Sequence, residues 1–458
     1  MAAAGPRELR IRMYNVGFGD CFLLTFFYKA SEKHVLVDFG STAAPLRRKA
    51  QMGEIAADIE SITKGRLDAI VVTHRHQDHI SGFATNKAGN APGDVIARIS
   101  KDAVVIQPWT EDPTLKTNAR APNSAGSSGA KGLSALHVQS LDAMHKIADA
   151  VVKRVGAMQD GDESEEGEEL SDSAGVPPDG QAFIPGLGVG PALRNRLGFL
   201  GETNLKNLSA VKNLMSMSDK HEYLSYGTKT SLSGGVLPGV KVHVLGPPTI
   251  EQYDAVSKQR SRDSAEFWQL QAAATKITAE ETVERLFPDH PSVQADALPV
   301  SARWFVRNVK SMHATQLLEL VRIVDSAMNN TSLILLFQIG EKLFLFPGDA
   351  QIENWEYALR AAPDSAAKRK LLSAVSLYKV GHHGSLNATP KSLWKLFKKK
   401  PKFIAMMSTR PGKHGDKRAH TEVPRQTLVD ELEAHSELHV TTTLKGENAL
   451  FEDVRVKL

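Results

Sequence analysis

The chain has a single cysteine, Cys21, which excludes an internal disulfide framework. Cys21 lies in an apolar run, so we interpret it as a packed side chain rather than as a nucleophile. No stretch of the sequence approaches the roughly 20 consecutive apolar residues of a membrane span. The first residues, MAAAGPRELRIRM, lack the apolar segment of a signal peptide. We therefore expect a soluble, cytoplasmic protein that has no membrane partner.

Aromatic residues make up only 6% of the chain, and the formal net charge of +4 is small for 458 residues. The length allows one large domain with insertions, or about two to three domains, and it is sufficient for a full hydrophobic core. Hydrophobic residues at 41% and charged residues at 24% are ordinary for a soluble globular protein. The composition therefore indicates a soluble globular protein, and its function has to be inferred from sequence motifs.

The densest group of metal-ligand side chains follows an apolar strand predicted at residues 69–72. His74, His76, Asp78 and His79 stand there in the order H-x-H-x-D-H. Neutral imidazoles and carboxylates are the usual ligands of zinc and of its neighbours in the first transition series. Side chains two apart in an extended segment point the same way, so His74 and His76 can share one metal. Single histidines are often ordinary surface residues, but this order directly after a strand favours a metal site.

A tight turn is predicted between the first two strands of the chain. Residues 9–14 alternate between apolar and polar, and residues 21–28 form an apolar run, so both are predicted to be strands. Residues 15–20 (NVGFGD) lie between them and include a G-x-G pattern. That pattern is a weak signal for a phosphate-binding loop, and a turn that joins two strands explains it better.

Polar residues also follow the next two strands. Residues 34–37 are predicted to be a strand that ends at Asp38, and residues 45–64 are predicted to be a helix that leads into the strand before His74. Active sites in α/β sheets are commonly built outside the carboxyl ends of strands. We therefore expect Asp38 and His74 to lie at one edge of a sheet.

The middle of the chain, residues 84–329, is predicted to be insertions in a core formed by residues 1–83 and 330–458. The segment DGDESEEGEELSDS holds eight acidic residues and no basic one, so it cannot bury an apolar core. We predict a mobile acidic linker at about residues 160–180. A core strand is predicted within the same interval at about residues 240–246.

After residue 330 the strand pattern resumes, and more ligand-type residues follow the strand ends. Asp349 comes after a hairpin, His382 and His383 lie in the segment GHHGS, and His420 follows a basic loop. The strands of this part are predicted at residues 332–338, 342–346, 375–380, 403–407, 438–443 and 448–456. Its last helix is predicted at residues 424–435.

These motifs together resemble the metallo-β-lactamase-fold hydrolases, and within them the ComEC-type branch, the hydrolase domain of DNA-uptake channels and its free-standing relatives. The matching segments are NVGFGD, VDFG, THRHQDH, FPGD and KVGHHGS, and they cover about residues 10–83 and 330–425. The resemblance implies an α/β fold, an αββα sandwich, with two metal ions in the groove between the sheets. It names no counterpart for the two large insertions.

The resemblance also implies a set of metal ligands. One metal is assigned to His74, His76 and one of the pair His382 and His383, with His383 favoured. A second metal is assigned to Asp78, His79 and His420, Asp349 is assigned as the bridge, and Asp38 as a support that binds no metal. His414 is the alternative to His420. His137 and His145 lie on a predicted helix and are interpreted as surface residues.

The implied chemistry is hydrolysis assisted by two divalent ions about 3.5–4 Å apart, which make hydroxide available near neutral pH. The predicted catalytic residues are Asp78, His382 and Lys379. His382 would stabilise the transition state or protonate the leaving oxygen, and Lys379 or Ser385 would hold a phosphoryl oxygen. Lys379 can equally be a surface lysine at a strand edge. Zinc is the expected metal, with manganese and iron open because histidine and carboxylate suit all three.

Charge indicates the class of substrate. Residues 368–420 contain 14 lysines and arginines and one acid, Asp416. Such a region beside a metal site attracts polyanions, so we expect a phosphodiester substrate, meaning nucleic acid or a nucleotide-like ester. Two alternatives stay open: a hydrolase of a small ester, amide or thioester, and a non-catalytic metal-stabilised binding module.

Overall fold

Two β-sheets form the framework of the part of the chain that the structure describes. The structure is a computed structural model, and it describes residues 5–45, 52–115, 120–122, 208–257, 329–387, 389–397, 403–413, 422–444 and 449–458. All of these residues belong to one unit of the chain, formed from Met1–Asp142, Thr203–Leu270 and Ser326–Leu458.

Short strands alternate with short helices along the described residues. The strands are β1 (Glu8–Tyr14), β2 (Cys21–Phe27), β3 (Glu32–Phe39), β4 (Ala69–Val71), β5 (Val104–Pro108), β6 (Lys220–Leu224), β7 (Lys241–Gly246), β8 (Ile334–Ile339), β9 (Lys342–Phe346), β10 (Leu377–Lys379), β11 (Phe403–Met407), β12 (Ser436–Val440) and β13 (Phe451–Lys457). The helices are α1 (Met52–Ile62), α2 (Gln77–Ile80), α3 (Pro92–Ile99), α4 (Leu208–Ser216), α5 (Ile352–Glu356), α6 (Ser365–Leu372), α7 (Lys391–Phe397) and α8 (Gln426–His435).

The first sheet has the order β13-β1-β2-β3-β4-β5-β6. Neighbouring strands from β13 to β3 are antiparallel, and β3, β4, β5 and β6 are parallel. The antiparallel pairing of β1 with β2 confirms the turn predicted at residues 15–20. Because β3 and β4 are parallel, the residues that follow them meet at one edge of the sheet.

The second sheet has the order β12-β11-β10-β9-β8-β7. The four strands from β12 to β9 are parallel, while β8 is antiparallel to both of its neighbours, β9 and β7. The segments after β9, β10 and β11 therefore lie at one edge, as the segments after β3 and β4 do in the first sheet.

Three hydrophobic layers hold these elements together. The alternating side chains of β1, such as Leu9 and Ile11, pack between the sheets with Phe337 and Phe344 of the second sheet. A second layer joins the outer face of the first sheet to α1, α3 and α4, and a third joins the outer face of the second sheet to α5, α7 and α8. Each fully buried aliphatic or aromatic side chain contributes about 1.5–3 kcal/mol. The resulting αββα sandwich confirms the predicted fold class.

Several elements of the interval 84–329 take part in the sheets. β5 and β6 extend the first sheet, and β7, at the place of the strand predicted near residues 240–246, is the edge strand of the second. The linker predicted at about residues 160–180 lies outside the described residues. The division of the chain into a core and insertions stays a prediction.

No helix within the described residues has both the length and the apolar character needed to cross a membrane.

Candidate metal centre

The first group of ligand-type side chains directly follows β4. His74 and His76 lie in the extended segment after the strand, and α2 begins at Gln77, so Asp78 and His79 lie in its first turn. The side chains of all four residues are buried. Burying several polar side chains at one place is unfavourable unless each has a partner or a ligand.

The second group comes from the ends of β9 and β10. Asp349 follows β9 and is buried. His382 and His383 lie in the short 3₁₀ turn Gly381–Gly384 after β10, and their φ angles of 44° and 52° place both in the left-handed region. Such backbone strain in non-glycine residues concentrates at functional sites.

The two groups meet at one carboxylate oxygen, Oδ2 of Asp349. Nε2 of His79 lies 3.2 Å from it, Nε2 of His383 3.7 Å, Nε2 of His382 3.8 Å and Nε2 of His74 3.9 Å. Four imidazole nitrogens thus lie around this oxygen, and a bridging role of Asp349 between two metal ions stays a prediction. The structure therefore brings together side chains that are far apart in the sequence.

Two further contacts link the remaining predicted ligands to this centre. Nε2 of His383 lies 3.1 Å from Oδ2 of Asp78, so the two sheets are in direct contact here. Nε2 of His74 lies 2.9 Å from Nδ1 of His76. His76 thus reaches the cluster through His74, as expected of two histidines that point the same way from an extended segment.

Hydrogen bonds on the far side of the rings fix which nitrogens face the centre. Nδ1 of His383 lies 3.0 Å from the carbonyl oxygen of Ser408, and a carbonyl oxygen only accepts, so this nitrogen carries the proton. Nδ1 of His79 lies 2.9 Å from Oδ2 of Asp38, which also accepts. With a metal ion in place of the second ring proton, each Nε2, which faces Asp349, would offer its lone pair. This is how metal-binding histidines are usually oriented.

Electrostatics favour a cation at this place. Burial alone would lower the pKa of His79, but the charges of Asp349 and Asp38 outweigh it and raise that pKa well above the ordinary value. Burial would raise the pKa of Asp349, yet the imidazoles, His79 first, hold it well below its usual range. The pKa of His74 is lowered well below its ordinary value by burial and by His79. The centre therefore combines ionised carboxylates with imidazole nitrogens, two kinds of group that bind metal.

The structure adds Asp20, which was assigned no role from the sequence. Asp20, His79, Asp349 and His383 each offer a ligand atom, and these atoms lie within 4.8 Å of one another. Asp20 is completely buried and forms an ion pair with Nζ of Lys379. The signal in the sequence was the glycine-containing turn that ends at Asp20, which shows a turn but not what the turn packs against.

The residues present fit a divalent metal. Their donor atoms are imidazole nitrogens and carboxylate oxygens, which suit zinc, manganese and iron. Oδ1 of Asp78 is buried and accepts no hydrogen bond from any described residue. A buried ionised oxygen without a partner is costly, and a bound cation would remove that cost.

The other predicted site residues are placed as follows. The side chain of His382 is 26% exposed, so it is the part of the cluster that faces solvent. Lys379 is only 3% exposed, which excludes its alternative interpretation as a surface lysine. Oγ of Ser385 donates to Oδ1 of Asn387. His420 and its alternative His414 lie outside the described residues.

An edge of a two-sheet sandwich lined by buried histidines and carboxylates offers the donor atoms of a metal site. Residues 14–106 match the family model of the metallo-beta-lactamase superfamily. The match ends at Ile106 and so contains the H-x-H-x-D-H segment but not Asp349 or His383. No curated protein matches the chain. The superfamily generally comprises metal-dependent hydrolases and usually binds divalent metals.

Proposed function

We propose that the protein is a metal-dependent phosphodiesterase that cleaves nucleic acid or a nucleotide-like ester. The observation that carries this proposal is the convergence of imidazole Nε2 atoms, at 3.2–3.9 Å, on Oδ2 of Asp349 next to the carboxylate of Asp78. Such a centre is suited to hydrolysis, because it can hold cations beside an anionic phosphoryl group.

The residues that would hold the metal ions are those that the resemblance assigns. We propose two divalent ions, with zinc as the expected metal and manganese or iron as alternatives. His74, His76 and His383 would hold one, Asp78 and His79 with His420 the other, and Asp349 would lie between them. When bound, the ions supply an activated water near neutral pH and neutralise charge that develops on the phosphoryl oxygens.

His382 is the candidate general acid. Its ring is partly exposed, and its Nε2 lies 3.8 Å from Oδ2 of Asp349, so it faces the side from which a substrate can enter. A histidine in this position can donate a proton to the leaving oxygen of a phosphodiester. Its left-handed backbone holds it apart from His383, whose ring points into the protein with no exposed surface.

The choice of a phosphodiester rests on charge. Lys370 on α6, Lys395 on α7 and Lys413 after β11 are exposed, and all three belong to the lysine-rich interval 368–420. Positive side chains on the segments that follow or flank the strands of the centre raise the local concentration of polyanions. A small neutral ester would gain nothing from them.

We also propose that the chain belongs to the ComEC-type branch. Two segments that carry that resemblance both contact the centre: the turn at residues 15–20, through Asp20, and Gly381–Gly384, through His383. In this branch the histidine after Asp349 replaces a ligand histidine that other branches place earlier in the chain. His137 and His145, the earlier candidates, lie outside the described residues.

The test is hydrolysis of bis(p-nitrophenyl) phosphate and of single-stranded DNA by the purified full chain. Each substrate is assayed with added Mn²⁺ or Zn²⁺, without added metal and after chelation, and Asp78→Ala is the inactive control. We expect cleavage that depends on metal and is lost in Asp78→Ala. Cleavage that survives in Asp78→Ala at the wild-type rate would refute the two-metal centre.

Two other results would refute the phosphodiesterase proposal in different ways. Bound metal with no cleavage of either phosphodiester would point to a small ester, amide or thioester, which is assayed with p-nitrophenyl acetate and a thioester of similar size. Protein that binds metal and cleaves none of these substrates would be a binding module stabilised by metal.

A further inference from the structure

The turn at residues 17–20 lies directly behind the metal centre. The backbone N–H of Asp20 donates to the carbonyl oxygen of Asp78 at 2.9 Å, and the Phe18 ring packs on the ring of His383 with centroids 4.4 Å apart. A Cβ atom on Gly19 would lie 2.6 Å from the carbonyl oxygen of Asp78. The turn is therefore in contact with the backbone of one predicted ligand and the ring of another.

The carboxylate of Asp20 lies on the far side of two histidine rings. Oδ2 of Asp20 is 3.8 Å from Nδ1 of His79, and Oδ1 is 3.6 Å from Nδ1 of His383. Both nitrogens have nearer acceptors on that side, and the Nε2 atoms of the same rings face Asp349. Asp20 lies close enough to the cluster to offer a ligand atom, but its nearest ring nitrogens are these Nδ1 atoms, so we place it behind the rings rather than on the face that would bind metal.

The ammonium group of Lys379 connects this rear carboxylate to the bridging one. Nζ forms an ion pair with Asp20, lies 3.9 Å from Oδ1 of Asp349 and donates to the carbonyl oxygen of Gly348 at 3.4 Å. Lys379 is almost completely buried. A buried ammonium group is strongly unfavourable without counter-charges, so its place depends on these two carboxylates.

We propose that Asp20 and Lys379 are a positioning pair that holds Asp349, His79 and His383 in the arrangement that binds metal, and that Lys379 does not contact the substrate. This inference rests on the metal centre of the proposed function but not on the identity of the substrate. Without Asp20, the ammonium group has Asp349 as its remaining carboxylate partner and competes there with the metal. Without Lys379, the buried charge of Asp20 is uncompensated beside two ring N–H groups.

The test compares Asp20→Asn, Lys379→Met and the double variant in the full chain. Zn²⁺ affinity is measured by competition with a chromophoric chelator, and the visible absorption spectrum is recorded after loading with Co²⁺. Asp453→Asn is the control, because Asp453 pairs at 2.8 Å with Arg12, whose side chain is 7% exposed, and neither residue belongs to the cluster. Circular dichroism establishes that each variant is folded.

We expect each single substitution to weaken metal binding by about 10–100-fold, the effect of losing a group that orients a metal ligand, and to change the Co²⁺ spectrum. Because the two residues act together, the double variant should lose less than the product of the two single losses. Asp453→Asn should match the wild type in both measurements. Should Lys379→Met fail to fold, the nearly isosteric Asp20→Asn decides the question.

Two results would overturn the inference. One is wild-type metal affinity and an unchanged Co²⁺ spectrum in Asp20→Asn. The other is a Lys379→Met variant that binds metal normally and only raises KM, since that is the behaviour of a residue that contacts substrate. If instead metal binding changes as expected and no phosphodiester is cleaved by the wild type, the positioning pair stands and the phosphodiesterase proposal fails.

Discussion

Nδ1 of His79 lies 2.9 Å from Oδ2 of Asp38, on the side of the ring that faces away from Asp349. The same carboxylate accepts hydrogen bonds from the backbone N–H and the hydroxyl of Thr73 at 2.8 and 2.7 Å. Asp38 itself has a φ of 55°, a left-handed conformation that a non-glycine residue rarely adopts. The left-handed conformation at the end of β3 thus places the Asp38 carboxylate against Thr73 and His79.

Asp38→Asn should weaken metal binding by about 10–100-fold, since the partner of a ligating histidine is worth this much. An amide oxygen can still accept from Thr73, but it is a weaker acceptor for the ring N–H of His79 than a carboxylate. The measurement is Zn²⁺ affinity by chelator competition, with the thermal unfolding midpoint of metal-free protein recorded in parallel.

Asp68→Asn is the control for that experiment. Asp68 is also buried and accepts from a backbone N–H, that of His34 at 2.9 Å, but it lies at the opposite end of β3. We expect Asp68→Asn to change stability without changing metal affinity. Equal losses of affinity in Asp38→Asn and Asp68→Asn would contradict a specific role for Asp38.

Asp349→Asn should abolish metal-dependent turnover while the protein still unfolds cooperatively. The substitution keeps the shape of the side chain and removes the charge on which the imidazole nitrogens converge. The pKa of Asp349 lies well below its usual range because of those imidazoles, so the residue is ionised at neutral pH. Turnover, bound metal per chain and a denaturant unfolding curve together test this, and retained wild-type turnover would be incompatible with a bridging Asp349.

Gly19→Ala should destabilise the protein by about 1–3 kcal/mol, the range for an overpacked site. Gly19 has a φ of 148°, and its added Cβ would lie 2.3 Å from the carbonyl oxygen of Gly40. Gly89→Ala is the control, because Gly89 also has a positive φ, 69°, but no heavy atom lies within 4 Å of an added Cβ. Denaturant unfolding should show a larger loss of unfolding free energy for Gly19→Ala than for Gly89→Ala. A larger loss for Gly89→Ala would mean that the positive φ, rather than steric overlap of the added Cβ, determines the destabilisation.

His34, on β3, should contribute stability that depends on pH. Its pKa is lowered by burial, an effect that the charges of Asp68 and Glu32 partly oppose. At a pH between the folded and the unfolded pKa, His34 is therefore neutral in the folded protein but protonated in the unfolded chain. Stability from His34 is then complete above the unfolded pKa of about 6.5 and is lost as the pH falls below that value. The difference between the unfolding free energy of the wild type and that of His34→Gln should therefore decrease as the pH is lowered from 8 to 5.5. A difference that is constant with pH would contradict this.

The exposed lysines of the interval 368–420 should determine how strongly nucleic acid binds. A triple variant with Lys370, Lys395 and Lys413 changed to Gln should bind single-stranded DNA more weakly. The slope of log K against log salt should also fall in magnitude, by about 0.7 for each phosphate that the variant no longer neutralises. Fluorescence anisotropy over a salt series measures both quantities.

The control for the lysines removes the same amount of charge elsewhere. Lys29, Lys87 and Lys101 are exposed on the first sheet and its connections, and a triple change of these to Gln leaves the net charge equal to that of the first variant. We expect binding close to that of the wild type. Equal weakening in both triple variants would mean that net charge, rather than the interval 368–420, attracts the nucleic acid.

The sequence predicted the elements whose local pattern agrees with their environment. The alternating segment before residue 15 and the apolar run after residue 20 became β1 and β2, and the H-x-H-x-D-H segment lies at the end of β4 as expected. β6 was missed because its sequence, KHEYL, begins with three polar residues and does not alternate between apolar and polar side chains. Its pairing with β5 comes from tertiary context, which overrides local propensity.

The centre was predictable only where ligand-type residues cluster in the sequence or follow a strand. Asp349 and His383 follow strands, so their approach to His79 could be anticipated. The role of the Ser408 carbonyl could not, because a backbone group leaves no signature in the sequence. Burial of Lys379 was equally hidden, since the partner that stabilises it, Asp20, precedes it by most of the chain.

Asp78 and His383 are in contact although 305 positions separate them. At about 5–20 residues per second, a ribosome needs roughly 15–60 s to make the chain between them. During that time the emerged H-x-H-x-D-H segment carries four ligand side chains that no second sheet yet covers. Under the proposed function, metal taken up then would be held by the local residues alone, and its final coordination would have to wait for the carboxyl-terminal strands. The order of synthesis would thus make full occupancy of the proposed centre a late event, and a prematurely ended chain would carry the H-x-H-x-D-H segment without the centre.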